Sequence, residues 1–250
     1  MATVIKAYNG ASRIFAKDCS DIAAWVPEGG SISLQDGVND FTRYAVDSHK
    51  LAVFVKLDDD FVHDAVFSLE DYLTERLAKN LAKSEDKGFV LGTGEHMPVG
   101  ILDDTAGAKT GTTTSALCFD DVLRLYHSLD KEYRKNAVWL MNDDTALTLR
   151  MVKDSAGNYL WNPSDNTILG KPVVISYDMP SVGAGAKPIV FGDFSYYWII
   201  DRSPVSIQAL KELFVTLDQV GYLATEFLDG KLIRRDALKA LKVSEADQND

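Results

Sequence analysis

Apolar residues recur at Leu69, Leu73, Leu77 and Leu81 in the stretch 68–87, with Tyr72 beside the same stripe. A four-residue repeat aligns side chains along one face of a helix, so this stretch is predicted to be an α-helix whose leucines pack in the core. Ser68 with Asp71 approximates a capping box at its start, and Gly88 supplies a stop. A second helix is predicted over 119–133 from Phe119, Val122, Leu123, Tyr126 and Leu129, and a third over 143–154.

Alternating or continuous apolar runs predict strands at 51–57, 137–141, 173–177, 189–191, 196–200, 212–217 and 221–233, the last broken by a tight turn at Asp229-Gly230. Residues 31–46 alternate more thinly. Ile32 and Leu34 lead to Asp36-Gly37, a two-residue hairpin signal, and Val38, Phe41, Tyr44 and Val46 follow. These are too few large apolar side chains for a core hairpin. Residues 1–24 are weakly periodic and read as an arm lying on something else. Residues 92–102 are glycine-rich and turn-like, and 103–116, small and polar, read as a loop or linker. With helices toward the front and strands toward the back, the fold class is α+β.

Charge narrows the partners. The formal net charge is −11, and the densest basic cluster is Arg234-Arg235 with Lys231, Lys239 and Lys242. Duplex recognition needs a basic face to displace phosphate counterions, which argues against direct nucleic-acid reading. Cys19 and Cys118 form no CxxC and read as free thiols in a reducing compartment. No apolar run reaches 18 residues, and the N-terminus lacks the pattern of a signal peptide, so the chain is expected to be made in the cytoplasm, with no membrane partner.

The candidate chemistry is thin. Gly92, Gly94 and Gly100 lie in "GTGEHMPVG", where no Lys-Ser/Thr follows for a phosphate loop and the glycines come after a helix rather than after a strand. His49, His63, His96 and His127 show no HxxxH spacing. The triplet at 58–60 lacks the EF-hand pattern, and the Asp pairs at 103–104, 120–121 and 143–144 sit where helices or turns begin. No catalytic residue, metal ligand or cofactor site is assigned, and no enzyme is expected.

The order of segments says more than any motif. "AAWVPEGG", a polar hairpin, "HKLAVFVKLDDDFVHDAVFSLEDYLTERLAKNLAKSEDKGFVLGTGEHMPVGIL", "NAVWLMNDDTALTLRMVKDSAGNYLWNP", "ILGKPVVISYDMP" and "IVFGDFSYYWIIDRSPVSI" follow one another. This series resembles the major capsid protein of tailed bacteriophages with the Hong Kong 97-type fold, over about residues 20–243. The resemblance implies an N-terminal arm (1–25), an extended E-loop (26–56), a peripheral domain with a long spine helix (57–111), an axial domain (112–192) and return strands of the peripheral domain with a C-terminal tail (193–250). It implies a subunit that self-assembles through pentamers and hexamers into an icosahedral shell around phage DNA. Expected partners are other copies of the chain, a portal, a scaffold or protease, and decoration proteins; DNA is contacted non-specifically at most. A cargo-loading nanocompartment of the same fold and an enzyme with scattered catalytic residues are the alternatives.

On this resemblance Trp25, Ile32, Leu34, Val38, Phe41 and Tyr44 become interface residues covered by a neighbouring subunit. That explains a hairpin which, alone in water, would be marginal. Precursors in the family often carry a scaffolding segment before the arm. Met1 lies close to the E-loop base, so a mature-length chain or a separate scaffold is expected. Some relatives join subunits by an isopeptide between an E-loop Lys and an Asn, assisted by a Glu. Here Gln219 and Glu226 fall near the latter two positions, but residues 28–49 contain no Lys, and Lys50 sits at the loop's return. Without an amine at the loop tip there is no nucleophile. Particles boiled in detergent should therefore run as a single band near 27.6 kDa. A ladder of multimers that survives reductant would make Lys50 the nucleophile after all.

Overall fold

A computed structural model describes residues 1–8, 13–17, 26, 41–58, 69–161 and 165–244. Trp25, Ile32, Leu34, Val38, the Asp36-Gly37 turn and Ser68 lie outside the described residues.

The predicted spine is helix α1, Leu69–Leu91. It lies against strands β4 (His49–Asp58) and β11 (Gln219–Leu232), which pair antiparallel. Leu77 and Leu81 pack with Ala224 of β11 and with Leu51, Val53 and Val55 of β4, and Leu73 is also buried. The odd positions of β4 meet the helix while Lys50, Ala52, Phe54 and Lys56 are exposed, the period-two pattern of a half-covered sheet. Two further strands complete this sheet, β1 (Thr3–Lys6) and β10 (Tyr197–Leu210), in the order β1-β10-β11-β4. The first residues of the arm thus lie on the chain's own sheet, parallel to β10 from Thr3↔Trp198 to Lys6↔Asp201. Strands β2 (Arg13–Lys17) and β3 (Phe41–Ala45) form a separate antiparallel ribbon.

A six-stranded sheet, order β5-β12-β9-β6-β8-β7, carries the rest: β5 (Lys109–Thr114), β6 (Val138–Met141), β7 (Thr167–Ile168), β8 (Lys171–Ile175), β9 (Ile189–Gly192) and β12 (Leu238–Val243). Its core centres on Trp139 stacked on Phe191 at 4.0 Å and on Val122 and Leu125 of α2 (Phe119–Ser128). Helices α3 (Lys131–Arg134) and α4 (Asp143–Arg150) flank it. A second cluster, with Phe89, Val90, Ile101, Tyr197 and Leu238, joins the end of α1 to this region.

Several expectations are corrected. Gly88 does not stop α1. Phe89 and Val90 are buried in the second cluster, and that burial outweighs the roughly 1 kcal/mol that a glycine costs within a helix. The helix ends at Gly92, whose N–H donates to Gly88 O at 2.9 Å and where a Cβ would collide with Pro98 O. The helix predicted over 119–133 breaks at an extended, buried Leu129, and Arg134 donates to the freed carbonyls of Leu129 and His127. The third helix stops at Arg150 rather than 154. The presumed loop 103–116 contains edge strand β5, polar enough to escape a hydrophobic reading. Residues 212–217 form a turn and a 3-10 helix, with Leu213 and Leu217 exposed. The strand at 196–200 runs on to Leu210 through register shifts around Pro204, where a missing N–H is tolerated. Asp229-Gly230 is no turn: β11 passes straight through it.

Leu77→Asp would place an unpaired carboxylate between helix and sheet at a position 1% exposed. The cost is several kcal/mol against a typical stability of about 5–15. This variant should be insoluble or unfolded by circular dichroism. A soluble protein with a cooperative melt would remove the leucine stripe from the core.

Candidate functional site

The turn from β3 into β4, residues 46–48, is where the β2–β3 ribbon leaves the four-stranded sheet. Val46 is buried with Ala7 and Ile200, against the partly buried Trp198. On β11, Asp229 is wholly buried. Its Oδ2 accepts the N–H of Asp47 at 2.9 Å and its Oδ1 accepts the N–H of Gly230 at 2.8 Å. Lys231 Nζ donates to Ala45 O at 2.6 Å and to Asp47 Oδ2 at 3.1 Å, and lies 3.6 Å from Asp229. His49 Nε2 stands 3.6 Å from the same carboxylate. One residue past β11, Ile233 O accepts the Tyr44 hydroxyl at 2.8 Å. A buried carboxylate is tolerated only with such partners. Together these bonds fix the ribbon's exit to the end of β11.

Gly230 has a specific reason. A Cβ there would stand 2.5 Å from the Tyr197 hydroxyl and 3.0 Å from the Phe89 ring. Without it, Tyr197 donates to Val99 O at 2.7 Å, and burial pushes its phenol well above the usual range. The arm is held alongside: Ala7 N donates to Asp201 O and Tyr8 Oη to Asp201 Oδ2, each within 2.8 Å.

The sequence-predicted residues fall into separate places. Leu77 and Leu81 come together between α1 and the sheet, Leu73 is buried on the same helix, and Leu69 opens it. Tyr44 is half-buried at the ribbon's exit. The backbone of Phe41 pairs with Lys17. The three positions considered for an isopeptide do not converge within one chain. Glu226 pairs with Leu51 on the face that α1 covers, whereas Lys50 pairs with Phe227 and faces the other way. Gln219, seven residues up β11, is about 23 Å distant and donates to Asp58 Oδ1. Sequence reasoning missed Asp229, Lys231 and Asp47 because Asp-Gly is a strong turn signal. The contrary sign was the apolar residues on both sides, Phe227-Leu228 before the pair and, past Lys231, Leu232-Ile233.

A protein-family model described as the phage capsid family matches residues 1–243. Among solved structures, the chain is similar to one titled "Capsid of native GTA particle computed with C5 symmetry", with 27% identity and a TM-score of 0.80 over 97% of this chain and 88% of that one. It shares its fold with a chain from Gordonia phage Cozz (12% identity, TM-score 0.70, 98% of this chain and 85% of that one). A chain from Microbacterium phage Oxtober96 shares it as well (14%, 0.68, 97% and 90%). No curated protein sequence matches.

Asp229→Ala would remove the buried acceptor of the Asp47 and Gly230 N–H groups and one of the two carboxylates beside Lys231. Breaking a buried pair from one side costs about 3–5 kcal/mol. Calorimetry should show a melting point lower by roughly 10 °C, with Asp229→Asn intermediate because an acceptor oxygen remains. A melting point within about 2 °C of the parent would mean the ribbon's exit is not held by this carboxylate.

Proposed function

The chain belongs to the phage capsid family, and from that premise we propose how it works as the major capsid protein: a structural, non-enzymatic subunit that assembles with its own copies into an icosahedral shell. The observation that carries this is the family match across residues 1–243, joined to a capsid likeness that spans almost the whole chain at 27% identity. The matches lend no support to a cargo-loading compartment or an enzyme.

In this reading the shell is built from pentamers and hexamers and encloses DNA, which the acidic subunit contacts non-specifically at most. Assembly takes place in the host cytoplasm with a portal, a scaffold or protease, and decoration proteins as transient or accessory partners. The arm is 1–25 and the E-loop 26–56. The peripheral domain takes 57–111 and 193–250, and the axial domain 112–192. The four-stranded sheet under α1 supports the peripheral assignment, and the sheet carrying α2 to α4 supports the axial one. The six-stranded sheet also takes in β12, so the return segment contributes to both bodies.

Exposed apolar side chains fit a subunit that finishes burying its surface in an assembly. Leu147, Met151 and Tyr159 are each at least half exposed, and Tyr177 is 94% exposed. Trp25, Ile32, Leu34, Val38, Phe41 and Tyr44 are proposed to meet a neighbouring subunit.

Negative-stain electron microscopy of the purified chain, alone and co-expressed with scaffold, tests the reading. Closed particles are expected for the parent, and folded but unassembled subunits for Leu34→Asp and Phe41→Asp. A parent protein that remains monomeric under both conditions would overturn it, and loss of folding in the variants would make the hairpin part of the core.

A further inference from the structure

The leucine stripe of α1 does not end at Leu81. One turn further on, the same face presents Glu85. The row of β11 that the helix covers does not end at Ala224 either, because two residues on it presents Glu226. Leu81 and Ala224 pack together. From that contact a helix turn advances about 6 Å and two strand residues about 6.7 Å, so the two carboxyl groups come to face each other in the seam. Both residues are half-buried.

Among the described residues, no cation is hydrogen-bonded to the buried oxygen of Glu226. Glu226 Oε2 is buried and meets no donor among the described residues, and Asp201 Oδ1 on the neighbouring strand β10 is in the same condition. The other Asp201 oxygen accepts from Tyr8, which feels both carboxylates. The other charged or titratable groups nearby are Arg202, next to Asp201 on β10, His49 and Lys50 on β4, and Lys87 and His96, which line the cleft beside Glu85. His49 is paired with Leu228 on the covered face, and Lys50 is turned to the open one. Two ionised carboxylates pressed together repel, and a buried acceptor without a donor loses its hydration for nothing. A single proton resolves both: Glu226 becomes a donor and Glu85 accepts. Beside the pair lies a cleft of about 490 Å³, lined by His49, Leu51, Glu85, Leu91, Met97 and Leu228 among others, which gives the end of the helix room to move.

We propose that Glu85 and Glu226 share one proton across the seam between α1 and the sheet, and that losing it at alkaline pH frees the last turns of α1 and the 92–98 turn, opening the cleft. The seam is a pH-set joint in the subunit itself, independent of whether the subunit assembles. Burial, then the Glu85 carboxyl, then Asp201 push the Glu226 carboxyl up from 4.5 to about 7. A carboxyl raised on folding adds stability that is complete below its unfolded value and lost as pH rises through the folded one. The closed joint therefore belongs to pH 6 and below, and the open joint to pH 8 and above.

Hydrogen exchange of the full-length protein at pH 6 and pH 8.5, corrected for intrinsic base catalysis, reads this directly. In the parent, protection of amides 84–92 should fall about tenfold at the higher pH, while that of β9 and β12 stays constant. Glu226→Gln keeps the shape and supplies a permanent N–H donor to Glu85, so its protection should stay high and level with pH. Glu85→Gln should behave likewise, and stands in should the first variant fail to fold. A parent whose protection at 84–92 does not change, or Gln variants that lose it as the parent does, would overturn the proposal. The exchange pattern is measured on subunits or shells alike, so a chain that forms no particles would not disturb it.

Discussion

The contact between α1 and one row of β11 side chains governs the arrangement of the rest of the structure. Strand β11 is the only strand of the four-stranded sheet paired to long strands on both sides, β10 and β4, so its register sets theirs. The helix must cover Ala224 with Leu77 and Leu81, and it must also run far enough to bring Phe89 edge-on to Tyr197 at 5.9 Å. These two requirements leave no freedom to stop at Gly88. They also place Glu85 in the seam, since a helix straight through both contacts cannot turn that position away. The seam is thus apolar at one end and acidic at the other.

The opposite face of β11 follows from the same register. With even positions under the helix, Asp229 points toward the exit of the β2–β3 ribbon and Lys231 follows two residues later on the same side. The strand therefore holds the helix with one face and the ribbon with the other. A residue shift in β11 would exchange these faces and lose both. Gly230 lies between them, where a Cβ would collide with the Tyr197 hydroxyl.

What the sequence made legible follows the strength of local periodicity. The leucine stripe and the buried runs at 137–141 and 189–191 declare themselves because burial on one face imposes a period that other forces do not blur. Strand β5 was hidden because an edge strand of Lys, Thr and Gly buries little and carries no hydrophobic signal. Asp229-Gly230 misled because turn propensity is local, while the bonds that keep the strand straight come from Asp47 and Lys231 at either end of a long-range pairing. Glu85 and Glu226 were individually readable as continuations of two patterns, but only the packing of Leu81 on Ala224 brings the patterns together. The family resemblance rested on segment order, which survives where single residues do not.

The edge strand β1 has a consequence for the order of events as the chain is made. Thr3 Oγ1 donates to Ser195 O, 192 residues away, and its strand pairs with the start of β10. Such a contact closes nearly the longest loop the chain allows and adds little buried apolar surface, so it joins the structure late. Until then the outer edge of β10 presents unpaired N–H and C=O groups, and any copy of residues 3–6 satisfies them equally well. In this structure the sheet is completed from within, and the late arrival of that four-residue strand sets how long the edge of β10 stays open.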